Sequence, residues 1–357
     1  MKEQLNVPVI VDHHVDGSNP FVIFGQHPLT PHEPSTPLVA AGGKVRHANN
    51  FSVDGLLNVG VPEIMYANAF PSPLNIEGEH RAPTPEEFLG EVERHTNVYQ
   101  EIKAAMPDDV KFATNKRQLS EGLRDGKLVF IQAVEGLYLD PRKNPDTVID
   151  QMVTNGVRNF GLTWNFDNQI ATPHNAAEDK GLTPFGREVV NYLLSIPGIW
   201  IDLSHGSNKS AMDTLDLAPN GRVIVSHAGL RTINPHTRNF SPEVAREVVK
   251  NEGMFCIPFV GSFVKDSKNE GRASVMDVIR TISEVRNVTG DINHIGIGTD
   301  FGGIGEANSI PGLDDISTAW RNLYHAMKST GEYTEEDIIK VLGENGLAFL
   351  ERNLPNI

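Results

Sequence analysis

VPVIVDHHVDG, residues 7–17, begins as a buried strand and ends as something else. Residues suited to a sheet interior run straight into Asp12, His13, His14 and Asp16, polar groups that an apolar interior rejects unless they are paired. Similar runs follow at EIMYANAF (63–70), KLVFIQAVE (127–135), VRNFGLTWN (157–165), GIWIDLSH (198–205), RVIVSHAG (222–229), GMFCIPFV (253–260) and HIGIGTDF (294–301). With the first, that makes eight. They are nearly continuously hydrophobic rather than alternating, as parallel strands covered on both faces are.

Helix signals fill the gaps. Thr84-Pro85-Glu86-Glu87 supplies an N-cap hydroxyl, a proline at the first helical position and a glutamate at N3, opening a helix to about Met106. Thr183-Pro184 opens another to Leu194 and Ser241-Pro242 a third to Glu252, each followed at once by the next strand. Ser274–Arg286 and Thr334–Leu350 complete the helical material, with Thr334 and Asp337 as a capping pair. This alternation predicts an α/β fold, a TIM (β/α)8 barrel, whose active-site groups project from the C-terminal ends of the strands. The expected organisation is one catalytic domain over residues 1–357, with a loop insertion at about 17–55, a second loop at 265–273 and C-terminal helices at about 316–353.

Composition narrows the function. Of 357 residues, 39% are hydrophobic and 22% charged, which supports a large folded core. A formal charge of −15 without a basic patch argues against nucleic acid or an anionic membrane as partner. No apolar run has the length of a membrane span and the first residues lack a signal peptide's apolar core, so a cytoplasmic location is expected. The single cysteine, Cys256 in GMFCIPFV, reads as a core thiol.

The strand ends carry the chemistry. The first ends in His14 and Asp16, the third in Glu135, the fifth in His205, the sixth in His227 and the eighth in Asp300. His-x-Asp puts both side chains on one face of an extended strand, so both can meet one ion. Glu135 is an isolated carboxylate at the end of a buried run, a costly placement that a metal would offset. Three imidazoles and two carboxylates suit zinc with an open, water-bearing position. They are too many for one catalytic zinc and enough for two if a carboxylate bridges. Asp300 is placed to shuttle a proton. AGGKVR (41–46) lacks the phosphate-loop spacing, and no GxSxG elbow is present. His27, His32, His47, His80 and His95 read as surface residues, and His13, alternating with His14, should point away from the metals.

DHHVDG, QAVEG, GLTPFGREVV, IDLSH, VIVSHAG, HTRNF and HIGIGTDFGG, in that order and spacing over residues 7 to 303, resemble the membrane (renal) dipeptidase family, the M19 metallopeptidases of the amidohydrolase superfamily. The resemblance implies a metal-dependent hydrolase barrel with two zinc ions. His14 and Asp16 would bind one, His205 and His227 the other, and Glu135 would bridge them. It implies a water between the metals as nucleophile, Asp300 as the proton carrier, and Arg238, followed by Asn239, as the binder of the substrate's free carboxylate, a task that suits a guanidinium fork.

Two departures stand out. Where family members carry histidine in LTHN this chain has Leu162-Thr163-Trp164-Asn165, so Trp164 reads as a pocket wall and His174 as a candidate for the missing histidine's role. An indole N–H donates one hydrogen bond and carries no charge. DFGG replaces DFDG, putting Gly302 where a second acid is usual. The expected function is a binuclear zinc dipeptidase that takes dipeptides with a free C-terminal carboxylate, including a C-terminal D-residue, in a homodimer. The rivals are an amidohydrolase of N-acyl amino acids, lactams or lactones, and a non-catalytic metal-containing barrel that binds a small molecule.

Overall fold

The computed structural model describes residues 5–26, 38–40, 46–75, 78–218, 221–266, 268 and 271–357. The readings of His27, His32 and residues 41–45 of AGGKVR fall outside them. Eight parallel strands close on themselves: β1 (Ile10–Val15), β2 (Glu63–Ala69), β3 (Leu128–Val134), β4 (Val157–Gly161), β5 (Trp200–Asp202), β6 (Val223–Val225), β7 (Met254–Ile257) and β8 (Ile295–Ile297). β1 pairs with both β2 and β8, and β2 pairs with β3, which closes the ring. The fold is a TIM barrel.

Period-two alternation explains why near-continuous apolar runs are needed. Val129, Ile131 and Ala133 of β3 belong to one buried cluster with Val11, Ile64, Tyr66, Trp200, Ile224, Met254 and Cys256. Their neighbours Leu128, Phe130 and Val134 belong to the larger cluster that also holds the helices' buried residues. Each full burial of such a side chain contributes roughly 1.5–3 kcal/mol, so both faces of every strand must be apolar.

The helices begin where their caps predict. Thr84 and Glu87 form a reciprocal capping box at Pro85–Ala105, Thr183 accepts from Gly186 N, and Thr334 and Asp337 form a second box. Ser241 precedes its helix without a side-chain cap bond. Helices Lys116–Arg124, Asp146–Thr154 and Asn208–Leu215 lack a Thr-Pro or Ser-Pro opening and go unread in sequence. So does the short strand Val110–Phe112, which pairs outside the ring on β3. Among the described residues of the expected 17–55 loop stand helices Asn19–Val22 and Val53–Leu57, the latter running past its end, and the ribbon Leu38–Val39/Arg46–His47.

The C-terminal helical segment seals the N-terminal mouth of the barrel. Phe349, Leu350 and Leu354 join the interior cluster, and Phe349 meets Trp200 edge-on at 5.6 Å. The opposite mouth is left for the polar strand ends.

Candidate metal centre and active site

The strands stop earlier than their apolar runs, and the polar residues stand on the turns leaving them. β5 ends at Asp202 and β8 at Ile297, three residues before His205 and Asp300. Both of those residues adopt the left-handed conformation, with φ of 64° and 66°. Non-glycine residues there store backbone strain, which clusters at functional sites. His14 is still within β1, and there the strand slips register against β2 between Asp12 and Val15.

These turns bring the expected residues together. His14, Asp16 and Glu135 offer ligand atoms within 4.8 Å of one another, and so do Glu135, His205 and His227. Glu135 is shared. Its Oε1 lies 2.7 Å from His205 Nε2, 3.3 Å from His227 Nε2 and 3.7 Å from His14 Nε2. Asp300 groups with His14 and His227. Asn68, unnoticed in sequence, donates to Asp16 Oδ1 at 2.6 Å.

The surroundings decide which ring nitrogens are free. The Ser226 hydroxyl donates to Asp202 Oδ2 and lies 2.7 Å from His227 Nδ1 and 3.3 Å from His14 Nδ1. With its one proton committed, it can only accept from both rings. Asn165 Oδ1 likewise accepts from His205 Nδ1 at 2.7 Å. All three imidazoles therefore turn an Nε2 lone pair toward Glu135. His205 Nε2 and His227 Nε2 stand 3.2 Å apart with no proton between them. Lone pairs and a carboxylate crowded this way draw positive charge, and the Arg238 guanidinium meets only the His227 ring among the three, so the donor set fits metal. This outer scaffold of Ser226, Asp202 and Asn165 was missed because nothing in sequence distinguishes it from ordinary strand-end polarity.

Electrostatics agree with a site built for charge. Burial pushes the Glu135 carboxyl well above its usual range, and it pushes His205 and His227 well below theirs. Burial, then the charge of Asp16, lifts Asp300 to about 7. Burial lowers Arg238 to about 10. Arg238 is 3% exposed, donates through Nη2 to His227 Nε2 and lies over the Phe263 ring at 5.2 Å, while its Nε and Nη1 have no partner among the described residues.

A cavity of about 320 Å³ opens over this cluster, lined by Asp16, Glu135, His205, Arg238 and Asp300, with Trp164 and Phe70 among its walls. Trp164 meets Phe70 edge-on at 4.7 Å. Three sequence readings need correction. Asn239 does not line the cavity: its amide accepts from Gly229 N and donates to Asn234 O and Phe263 O, which braces the turn carrying Arg238. His174 has both ring nitrogens engaged, by Asn165 at 2.9 Å and Thr237 at 2.9 Å, so it has no free N–H to offer a reacting group. His47 and His80 line the cavity, and His95 is 2% exposed and bonded to Ser18 Oγ at 2.8 Å; they are not surface residues.

Gly302 is dictated by the backbone. It has φ of 85°, and a Cβ there would stand 2.3 Å from the carbonyl oxygen of Asp16. At Gly303 a Cβ would reach Asp16 Oδ2 at 2.4 Å and Asp300 Oδ1 at 2.5 Å, so both carboxylates need that space.

The model of the membrane dipeptidase family (peptidase family M19) matches residues 71–353, most of the chain. The protein belongs to that family. The matched residues include Glu135, His205, His227, Arg238 and Asp300 and begin after His14 and Asp16, whose place in the cluster rests on geometry. An uncharacterized dipeptidase of Schizosaccharomyces pombe is 29% identical over 272 residues, 74% of this chain and 62% of the relative. Dipeptidase tcpJ of Claviceps purpurea is 30% identical over 258 residues, 71% of this chain and 58% of the relative. The chain thus spans less than two thirds of the length of either curated relative. Among solved structures, a Rhodobacter sphaeroides metallopeptidase, liganded with a phosphinate mimic of L-Ala-D-Ala, superimposes with a TM-score of 0.76 at 19% identity, covering 98% of this chain and 100% of that one. The probable dipeptidase PvdM of Pseudomonas aeruginosa gives 0.75 at 18%, covering 97% and 95%.

Proposed function

We propose that this M19 protein is a single-domain binuclear zinc dipeptidase. The observation that carries the reading is the pair of donor groups sharing Glu135, with the unpartnered Nε and Nη1 of Arg238 beside them. His14 and Asp16 would hold one ion, His205 and His227 the other, and Glu135 both. Metal held there supplies Lewis acidity toward a peptide carbonyl and toward water. Arg238 takes the C-terminal carboxylate of the substrate through its free N–H groups, which limits substrates to short peptides with that end exposed. Asp300 accepts a proton from the attacking water and delivers it to the departing amine nitrogen. Trp164 and Phe70 bound the space for a side chain. The family membership and the mimic bound by the Rhodobacter protein support a dipeptide, with a D-residue admitted at the C-terminal position.

The test is amino-acid release from a panel of L,L and L,D dipeptides by zinc-loaded protein, with Asp300→Asn as blank. Release that vanishes in the variant supports the reading. A metal-replete protein that leaves every dipeptide intact while opening N-acyl amino acids, lactams or lactones would overturn it in favour of that amidohydrolase chemistry.

A further inference from the structure

Two imidazoles in the cavity take no part in the machinery described so far. His47 sits on the short ribbon, bridged to Gly305, with its Nδ1 2.9 Å from Gly302 O. His80 closes the loop after β2, bridged to Leu74, with its Nδ1 3.0 Å from Ser72 O. A carbonyl oxygen only accepts, so each Nδ1 carries the ring proton and each Nε2 keeps a lone pair. Neither Nε2 has a protein partner among the described residues, and both rings line the cavity with centroids 6.4 Å apart. Burial lowers the pKa of both, which keeps them neutral and accepting.

The cavity is also polar along its length. Arg238 donates to His227 Nε2 and lies over Phe263, whereas His47 and His80 stand together, with His80 packed against Phe70 and Trp164. One region presents a buried guanidinium with free N–H groups. The other presents two imidazole Nε2 lone pairs. That pattern complements a zwitterion whose anionic and cationic ends are separated by a peptide bond.

We propose that His47 and His80 form the amine subsite, their Nε2 atoms accepting hydrogen bonds from the α-ammonium group of the substrate's N-terminal residue. The subsite selects free dipeptides over N-acylated amino acids, because an acylated nitrogen has lost its charge and all but one N–H. This inference rests on the dipeptidase reading. It assigns specificity to loop residues that lie apart from the metal-binding strand ends.

Two phosphinate dipeptide mimics test it, one with a free amine and one with hydrogen in its place, each competing against dipeptide hydrolysis by wild type, His47→Phe and His80→Phe. Phenylalanine keeps a ring against the aromatic wall and removes the acceptor. Wild type should bind the amine mimic about 10- to 100-fold more tightly, the range for hydrogen bonds to a charged group. Each variant should lose much of that preference while inhibition by the desamino mimic holds. Weakening of both mimics together, with the ratio intact, would mean a merely structural role and overturn the inference. Equal inhibition of wild type by the two mimics overturns it without any variant, and leaves the dipeptidase reading standing. If metal-loaded wild type cleaves no dipeptide, both fall.

Discussion

The two mouths of the barrel are built from the same strands and are opposite in character. At the N-terminal mouth Trp200, Phe349, Leu350 and Leu354 pack into an apolar plug. At the C-terminal mouth His14, Asp16, Glu135, His205, His227 and Asp300 crowd together beneath a polar cavity that Asp16, Glu135, His205 and Asp300 line. Adjacent residues of β1 mark the divide. His13 points into the barrel against Tyr66, with Nδ1 2.8 Å from Ile297 O, and burial lowers it to about 4. For His14 burial also opposes the proton, but the carboxylates of Glu135, Asp16 and Asp300 draw positive charge to its place, charge that a bound cation would supply instead of the proton. The same imidazole is core filler or metal donor according to which neighbours the turn supplies.

If this division is real, changes at one mouth should spare the other. The largest effect is expected at the polar mouth: Asp300→Asn should cut dipeptide turnover by about 10²- to 10⁴-fold, with bound metal and melting temperature unchanged. Loss of metal or fold would blur the contrast. Phe349→Ala at the plug should cost about 3–5 kcal/mol of stability in denaturant unfolding, while the KM of the surviving folded enzyme stays put. A large shift in KM would show that the two mouths are coupled.

Ser226→Ala sharpens the comparison within the polar end. It removes the hydroxyl that accepts from His14 and His227, and should weaken metal binding by about 10- to 100-fold in a chelator competition. Unaltered affinity would mean that the rings are oriented by packing alone.

The most gradual effect, spread over more than two pH units, concerns acid stability. Folded His13 titrates at about 4 against 6.5 when unfolded, so the unfolded chain binds more protons between those values. Its contribution is therefore complete above about 6.5 and declines as pH falls toward 4, at up to about 1.4 kcal/mol per pH unit. His13→Leu should flatten that part of the unfolding profile without altering metal affinity. A profile of unchanged steepness would assign the acid limb to other groups such as His95, which burial lowers to about 3.

Much of this was legible before any coordinates. Eight apolar runs, proline-led helix starts and a polar residue at the end of particular strands determined a (β/α)8 barrel with one chemical rim, because strand alternation and cap chemistry are local properties that a few neighbouring residues decide. The family motifs pointed to the rim's donors for the same reason: each lies at the end of a strand or within three residues beyond it. Tertiary structure alone decided the rest. That Ser226 serves two rings, that Asn239 and His174 spend their polar atoms on the scaffold, and that His47 and His80 face the cavity all depend on residues distant in sequence meeting within about 3 Å, the reach of a hydrogen bond. Such meetings are set by how loops cross the barrel mouth, and no periodicity or spacing within one segment records them.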